Sequence, residues 1–259
     1  MTKILKKSIT KLFKYFGYSV HIKKKDYMLN DFIVELDRTE VELIKYVYDN
    51  RLTMVTVPRL INTVKSCNYV VKNKIPGDFI ECGVWRGGNG ILAKKIFEYL
   101  GCNKNIWMFD TFQGMTKPTS IDVTSKNKDS AEKKFLQTQK DTHNEWCYAS
   151  LEDVKKNCLD AGLNLGSFKF VKGDISETLK LPENIPELIS ILRLDTDWYE
   201  STKTELEVLY PNLSERGVLI VDDYGHWEGS RKAVDEYFSN KNYKPLFNII
   251  DQDCRSAIK

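Results

Sequence analysis

Phe79-Ile-Glu-Cys-Gly-Val-Trp-Arg-Gly-Gly-Asn-Gly-Ile-Leu-Ala-Lys-Lys-Ile-Phe-Glu-Tyr-Leu100 decides the fold. Its first four residues read as a short buried strand. The glycines after it permit a tight turn and a close approach of ligand to backbone. From Gly90 to Leu100 the apolar residues Ile91, Leu92, Ile96 and Leu100 fall on one helical face, and Gly101 closes the helix. Strand, glycine loop and helix together form the opening unit of a nucleotide-binding α/β sheet.

The same rhythm continues along the chain. Strands are expected at 106–109, 168–171, 189–194 and 218–221. Helices are expected at 151–161, 202–209 and 230–238, with a closing hairpin from Leu246 to Ile258. Alternation of this kind predicts an α/β fold, a mostly parallel sheet with helices on both faces. Such sheets bind ligands at the carboxyl ends of their strands. Acids mark those ends here: Glu81, Asp110, Asp174, Asp195, Asp222 and Asp223. Residues 113–150 interrupt the rhythm with a polar stretch, helical near 130–140, that is expected to form a lid.

The bulk properties narrow the class. The chain has 259 residues, 42% of them hydrophobic, enough for one sizeable core. A net charge of +3 does not point to a nucleic-acid partner. The basicity sits in residues 1–25, which carry Lys3, Lys6, Lys7, Lys11, Lys14, Lys23, Lys24 and Lys25 and no acid. Ile4, Leu5, Ile9, Leu12, Phe13 and Phe16 recur there at helical spacing. This arm either packs on the protein or a sister subunit, or touches anionic lipid as a surface helix. We divide the chain into a basic, partly helical N-terminal arm (1–50) and a catalytic domain (51–259). The six cysteines show no CxxC pair, which argues against zinc. Without an apolar run of membrane-spanning length or a signal-peptide pattern, a cytoplasmic, reducing context is expected.

Two constellations carry chemistry. The first is the loop after the first strand. Its pattern, GxxxGGxG, does not match the GxGxxG of dinucleotide enzymes, which weighs against an NAD-type oxidoreductase on the same sheet. The helix terminus can instead receive the amino-acid end of S-adenosylmethionine, with Glu81 facing its ammonium group. Asp110 is placed for the ribose hydroxyls and Asp174 for the adenine amino group; as ordinary turn and cap residues they would read the same way. The second constellation brings Asp195 close to Asp222 and Asp223. Three carboxylates repel one another unless a cation compensates, and hard oxygen ligands suit Mg²⁺, Mn²⁺ or Ca²⁺. A divalent ion would activate a hydroxyl for methylation, with Asp195 as general base. The competing reading makes these acids turn residues and helix caps, and Asp197 is assigned to capping the helix at 202–209. Tyr199, His226 and Trp227 flank the acids and are candidates for stacking on a sugar ring; His143 in the lid is a possible second base. Each has a plain packing or surface role as its alternative. A non-catalytic cofactor-binding partner of glycan assembly is the third functional alternative.

The strings GDFIECGVWRGG, LRLDTDWYESTKTELEVLYPNL and GVLIVDDYGHWEGSRKAVDEYF resemble the macrocin O-methyltransferase (TylF) family, over residues 51–238. The resemblance implies a Rossmann-like class I methyltransferase with a seven-stranded sheet, using S-adenosylmethionine and Mg²⁺ on sugar hydroxyls. It implies Asp195, Asp222 and Asp223 as metal ligands and Asp195 as the base. Glu81, Gly83, Trp85, Arg86 and Asp110 would bind the cofactor, together with their neighbours Val84, Gly87, Thr111 and Phe112. Thr53-Met54-Val55 would close over it, and Ser150 would lie near the adenine. The family also implies a homo-oligomer. The arm, the lid and residues 251–259 lie outside the resemblance. A Lys-, Asn- and Ile-rich composition suggests as acceptor a surface-polysaccharide sugar or nucleotide sugar as well as a natural-product glycoside.

Overall fold

The five expected apolar runs become parallel strands: β1 (Asp78–Cys82), β2 (Ile106–Asp110), β3 (Phe168–Lys172), β4 (Ile189–Leu194) and β5 (Leu213–Val221). The computed structural model describes residues 33–239 and 241–259, so the basic amphipathic segment of the arm lies outside the described residues. The closing hairpin adds β6 (Asn248–Ile249) and β7 (Arg255–Ile258), with β7 antiparallel to both β5 and β6. The seven strands run in the order β3-β2-β1-β4-β5-β7-β6. The chain leaves β1 in one direction and crosses back to β4 in the other, so a crevice opens between the ends of these two strands.

Gly83 fixes the width of that crevice. Its φ is +82°, and a Cβ there would stand 2.0 Å from the carbonyl oxygen of Asp195. Backbone bonds carry the ladder past the strand ends: the Gly83 amide donates to Phe109 (2.8 Å) and the Asp195 amide to Cys82 (2.8 Å). The loops that follow β1 and β4 are therefore held side by side.

Side chains alternate across the sheet. Ile80, Cys82, Leu192 and Leu194 face a core completed by Leu206, Val234 and Phe238. These three come from α7 (Tyr199–Val208) and α8 (Glu228–Ser239). On the opposite face, Glu81, Ile106 and Met108 meet Gly90 of α3 (Gly88–Tyr99). Gly87, with φ +83°, starts α3 two residues before the expected position.

Two helices precede β1. Helix α1 (Arg38–Asp49) begins at a capping box between Asp37 and Glu40 and buries Ile44 and Val47. It lies in the stretch assigned to the arm, yet it belongs to the compact unit Asp37–Lys259; the other unit is Met1–Leu36. Helix α2 (Val57–Lys72) is not expected from the reading above, although its buried Leu60, Val64, Cys67 and Val70 recur every three to four residues. Among the described residues no helix is long and apolar enough to cross a membrane.

The lid holds helix α4 (Ala131–Thr138), and helix α5 (Leu151–Asp160) follows it; the short α6 (Ile175–Thr178) comes after β3. Asp122 fastens the lid. Fully buried, it accepts from the Thr119 amide (2.7 Å) and from the Tyr199 amide (2.9 Å), the first N–H of α7. That corrects the assignment of Asp197 as the cap. Helix α7 starts at Tyr199 after Trp198, which makes no side-chain cap, and the donor left free by the missing cap is taken by the lid.

Candidate active site

The crevice is a cavity of about 530 Å³, and one end of it is built around the β1 loop. Thr53, Met54, Val55, Glu81, Gly83, Val84, Trp85, Asp110, Thr111 and Asp174 all line it. Asp110 organises the loop: one oxygen accepts from the Val84 (2.8 Å) and Trp85 (3.1 Å) amides, the other from the Phe112 amide (2.7 Å). Burial raises its pKa against those four hydrogen-bonding groups, the last being the Thr111 hydroxyl. The longest of the four is the Thr111 contact to Oδ1 (3.4 Å), so Oδ1 is the oxygen that a ligand hydroxyl could most readily share. Glu81, nearly inaccessible, accepts from the Gly90 amide (3.0 Å) and from Arg193 Nη1 (2.9 Å). Burial pushes its pKa up to about 7 in spite of Arg193.

Four of the expected cofactor residues stand behind the wall rather than in it. Gly87 is the left-handed start of α3. Phe112 is buried with φ +51° and presents its amide to Asp110. Ser150 forms a capping box with Asp153 at the start of α5. The Arg86 carbonyl accepts from Asn157 (3.0 Å), and its guanidinium lies 5.8 Å from the Trp85 ring centre. Asp174 lines the cavity and also caps α6 through the Ser176 amide (2.8 Å).

The acids meet at the middle of the cavity. Oxygens of Asp195, Asp222 and Asp223 all lie within 4.8 Å of one another. Arg193, buried on β4 opposite Glu81, joins three of the surrounding carboxylates. Nη1 reaches Asp195 Oδ2 (2.6 Å) as well as Glu81, and Nη2 reaches Asp222 Oδ1 (2.5 Å). The other oxygen of Asp222 accepts from Arg59 of α2. Asp195 and Asp223 are nonetheless pushed well above the ordinary carboxylate range, first by burial and then by neighbouring carboxylates. Asp223 Oδ2 is buried without a hydrogen-bond partner. Asp197, held at φ +70°, turns into this cluster beside Asp223; burial and then the Asp195 charge raise it to about 7. An orphaned buried oxygen and three converging carboxylates, all oxygen donors, fit a hard divalent cation.

The far end is aromatic. Trp146 from the lid, Trp198 and Trp227 pack edge to face or tilted, with ring centres 5.0 to 6.1 Å apart. Trp146 and Trp227 line the cavity along with His226, and Lys134 of α4 stands 3.9 Å over the Trp146 ring. Tyr199 and His143 are elsewhere. The Tyr199 hydroxyl donates to Glu236 (2.6 Å) on α8, outside the cavity wall. His143 packs against Tyr148 with 4.3 Å between ring centres, also outside it.

Sequence reading passed over Arg193, Arg59, Lys134 and the true position of Asp197. Arg193 carries a usable signal: a cation inside the apolar run Ile-Ser-Ile-Leu-Arg-Leu needs buried acids as partners. Arg59 has no local signal, since its partners are 163 to 194 residues away in sequence.

Comparison with known proteins agrees with this geometry. The family model of macrocin O-methyltransferase (TylF) matches residues 29–256, which takes in the lid and most of the C-terminal hairpin. Demethyldecarbamoylnovobiocin O-methyltransferase of Streptomyces niveus is 33% identical over 205 residues, 79% of this chain and 74% of the relative. Mycinamicin III 3''-O-methyltransferase of Micromonospora griseorubida is 33% identical over 186 residues, 71% of this chain and 69% of the relative. The structure of the O-methyltransferase NovP superposes with a TM-score of 0.73 at 27% identity, over 85% of this chain and 98% of that one. With the β3-β2-β1-β4-β5-β7-β6 sheet and a donor-sized crevice at its switch point, these matches show that the chain belongs to the macrocin O-methyltransferase (TylF) family of S-adenosylmethionine-dependent O-methyltransferases.

Proposed function

We propose that this enzyme moves a methyl group from S-adenosylmethionine to a sugar hydroxyl with the help of Mg²⁺ or a similar divalent ion. The acceptor is a sugar of a surface polysaccharide, a nucleotide sugar or a natural-product glycoside. The observation that carries the reading is the convergence of Asp195, Asp222 and Asp223 within 4.8 Å, between the glycine loop and the tryptophan wall.

S-adenosylmethionine supplies an electrophilic methyl group, and a divalent cation at the three aspartates would lower the pKa of the accepting hydroxyl. The remaining work falls to the protein. The Gly83–Trp85 backbone and residues 53–55 hold the donor at one end. Arg193 occupies Asp195 Oδ2 and so leaves Oδ1 to take the hydroxyl proton. Trp146 and Trp227 offer ring surface to a sugar, and Lys134 gives that end a positive charge. The relatives named for glycoside methylation support a sugar acceptor. A cytoplasmic location, a homo-oligomer and contact of the basic arm with a sister subunit or anionic lipid complete the proposal.

Purified enzyme with S-adenosylmethionine and a panel of sugar acceptors tests it, product mass giving the added methyl. Activity lost in EDTA and restored by Mg²⁺ is expected. Full activity in excess EDTA would remove the cation from the reading.

A further inference from the structure

Arg59 is bonded to three carboxylates from two parts of the chain. Besides Asp222, it donates through Nε to Asp251 Oδ2 (2.8 Å) and through Nη2 to Asp253 Oδ2 (3.1 Å). Asp251 and Asp253 belong to the turn between β6 and β7, a stretch the sequence reading left without a role. The Arg59 side chain is 11% exposed, so these are sheltered bonds and not surface pairs.

The turn is itself firmly built. Asp251 Oδ1 accepts from the amides of Asp253 and Cys254, both at 2.9 Å. The Gly225 amide, two residues after Asp223, donates to the Asp253 carbonyl (2.8 Å). A Cβ on Gly225 would stand 2.3 Å from the Gln252 carbonyl oxygen, so the turn lies directly against the chain leaving β5. Burial raises Asp251, yet Arg59, the Cys254 amide and the Thr56 hydroxyl together hold it well below the ordinary carboxylate range.

Thr56 is the link to the cofactor end. It stands at the N-cap of α2 but makes no side-chain cap; its hydroxyl donates instead to Asp251 Oδ2 (2.6 Å). The residues before it, Thr53, Met54 and Val55, line the cavity beside the glycine loop, and Met54 is 60% exposed there. One carboxylate, Asp251, thus holds both the start of α2, next to the cavity-lining residues 53–55, and the arginine bonded to Asp222.

From this we infer that Arg59 and the Asp251–Asp253 turn form a brace that couples the position of residues 53–55 at the donor end of the cavity to the orientation of Asp222 in the cation site. The inference rests on the proposed cation role of the three aspartates. Arg59 lines the cavity, but its guanidinium bonds all go to carboxylates, so it acts through Asp222 as a positioning residue. Occupation of the donor end settles the start of α2, which sets Arg59, which sets Asp222; by linkage the cation in turn tightens donor binding.

The test is calorimetric titration of Mn²⁺ into the full-length protein, with and without saturating S-adenosylhomocysteine. In the unmodified protein S-adenosylhomocysteine should raise Mn²⁺ affinity by about 5-fold or more, the lower range of measured site couplings. In Asp251→Asn and Arg59→Met the enhancement should fall to about 2-fold or less, with circular dichroism unchanged and S-adenosylhomocysteine still bound. Arg59→Lys, which keeps the charge but not the three-way fork, should recover only part of it. Equal enhancement in all four proteins, or none in the unmodified one, overturns the brace. Absence of any Mn²⁺ binding overturns the cation reading and the brace together, whereas binding without enhancement overturns the brace alone.

Discussion

Glu205 should make the stability of this enzyme fall with pH. It lies on α7 with no exposed surface. One oxygen accepts from the Thr196 hydroxyl (2.8 Å), and the other, Oε2, has no partner. Burial pushes its pKa from 4.5 up to about 8, opposed only by that one hydrogen bond. Ionisation is therefore easy in the unfolded chain and costly in the folded one. A group raised in this way has its full stabilising effect below the unfolded value, and the effect is lost as pH climbs towards the folded one. Between about pH 5.5 and about pH 8 the loss comes to about 3 kcal/mol, at about 1.4 kcal/mol for each unit. Glu205→Gln keeps the shape and an acceptor for Thr196 but cannot ionise. Urea unfolding of both proteins at the two pH values isolates this residue from the other buried acids, since they are common to both. The unmodified enzyme should lose about 3 kcal/mol more than the variant over this interval. Parallel losses would refute the claim that Glu205 carries an uncompensated buried charge.

Other expectations follow from the site. Asp195→Asn should lower kcat by roughly 10²- to 10⁴-fold while S-adenosylhomocysteine binding, read by calorimetry, stays within about 2-fold. Asp223→Asn should weaken Mn²⁺ binding in the same instrument and lose less activity when Mn²⁺ is in large excess. Gly83→Ala combines a φ of +82° with a Cβ at 2.0 Å from the Asp195 carbonyl. It should cost about 1–3 kcal/mol from the strained backbone alone, with more from the clash, seen as a lower thermal midpoint. Trp146→Ala should raise KM for the acceptor more than KM for S-adenosylmethionine, as the proposed acceptor role of the tryptophan end requires.

Much of the framework is legible in the sequence because it rests on local pattern. Phe79–Cys82, Ile106–Asp110 and Ile189–Leu194 are apolar runs bounded by turns, and each appears as a strand. The acids at their ends follow from strand direction, so Asp195, Asp222 and Asp223 could be placed together from topology alone. Errors arose where a residue answers to a distant partner. Asp197 precedes a helix and so reads as its cap, but Asp122, 77 residues upstream of Tyr199, supplies that bond. Tyr199 stands beside the acids in sequence, yet the helical turn carries its side chain to Glu236 on α8. Arg59 lies in a helix the pattern did not expose, and two of its three partners, Asp251 and Asp253, are brought to it only by the hairpin behind β5. Ser150 was placed by resemblance, while its capping box with Asp153 is a local fact that the sequence also contained.

The lid has two fixed ends. At one, Asp122 holds the first amide of α7, and Gly229 leaves it room, since a Cβ there would stand 2.0 Å from Asp122 Oδ1. At the other, the Asn144 amide donates to the Gln113 carbonyl (2.8 Å) and the Met115 amide to Trp146 (3.0 Å), next to a Gly114 that tolerates no side chain. Between these rivets the span is tied again to the chain that carries Asp222 and Asp223: the Ser125 amide donates to the His226 carbonyl (2.8 Å) and the Glu228 amide to the Val123 carbonyl (3.0 Å). A change at residues 123–131 would therefore be felt at the Asp222–Asp223 turn, so the tryptophan end and the carboxylate cluster are built as one unit and not as separable modules.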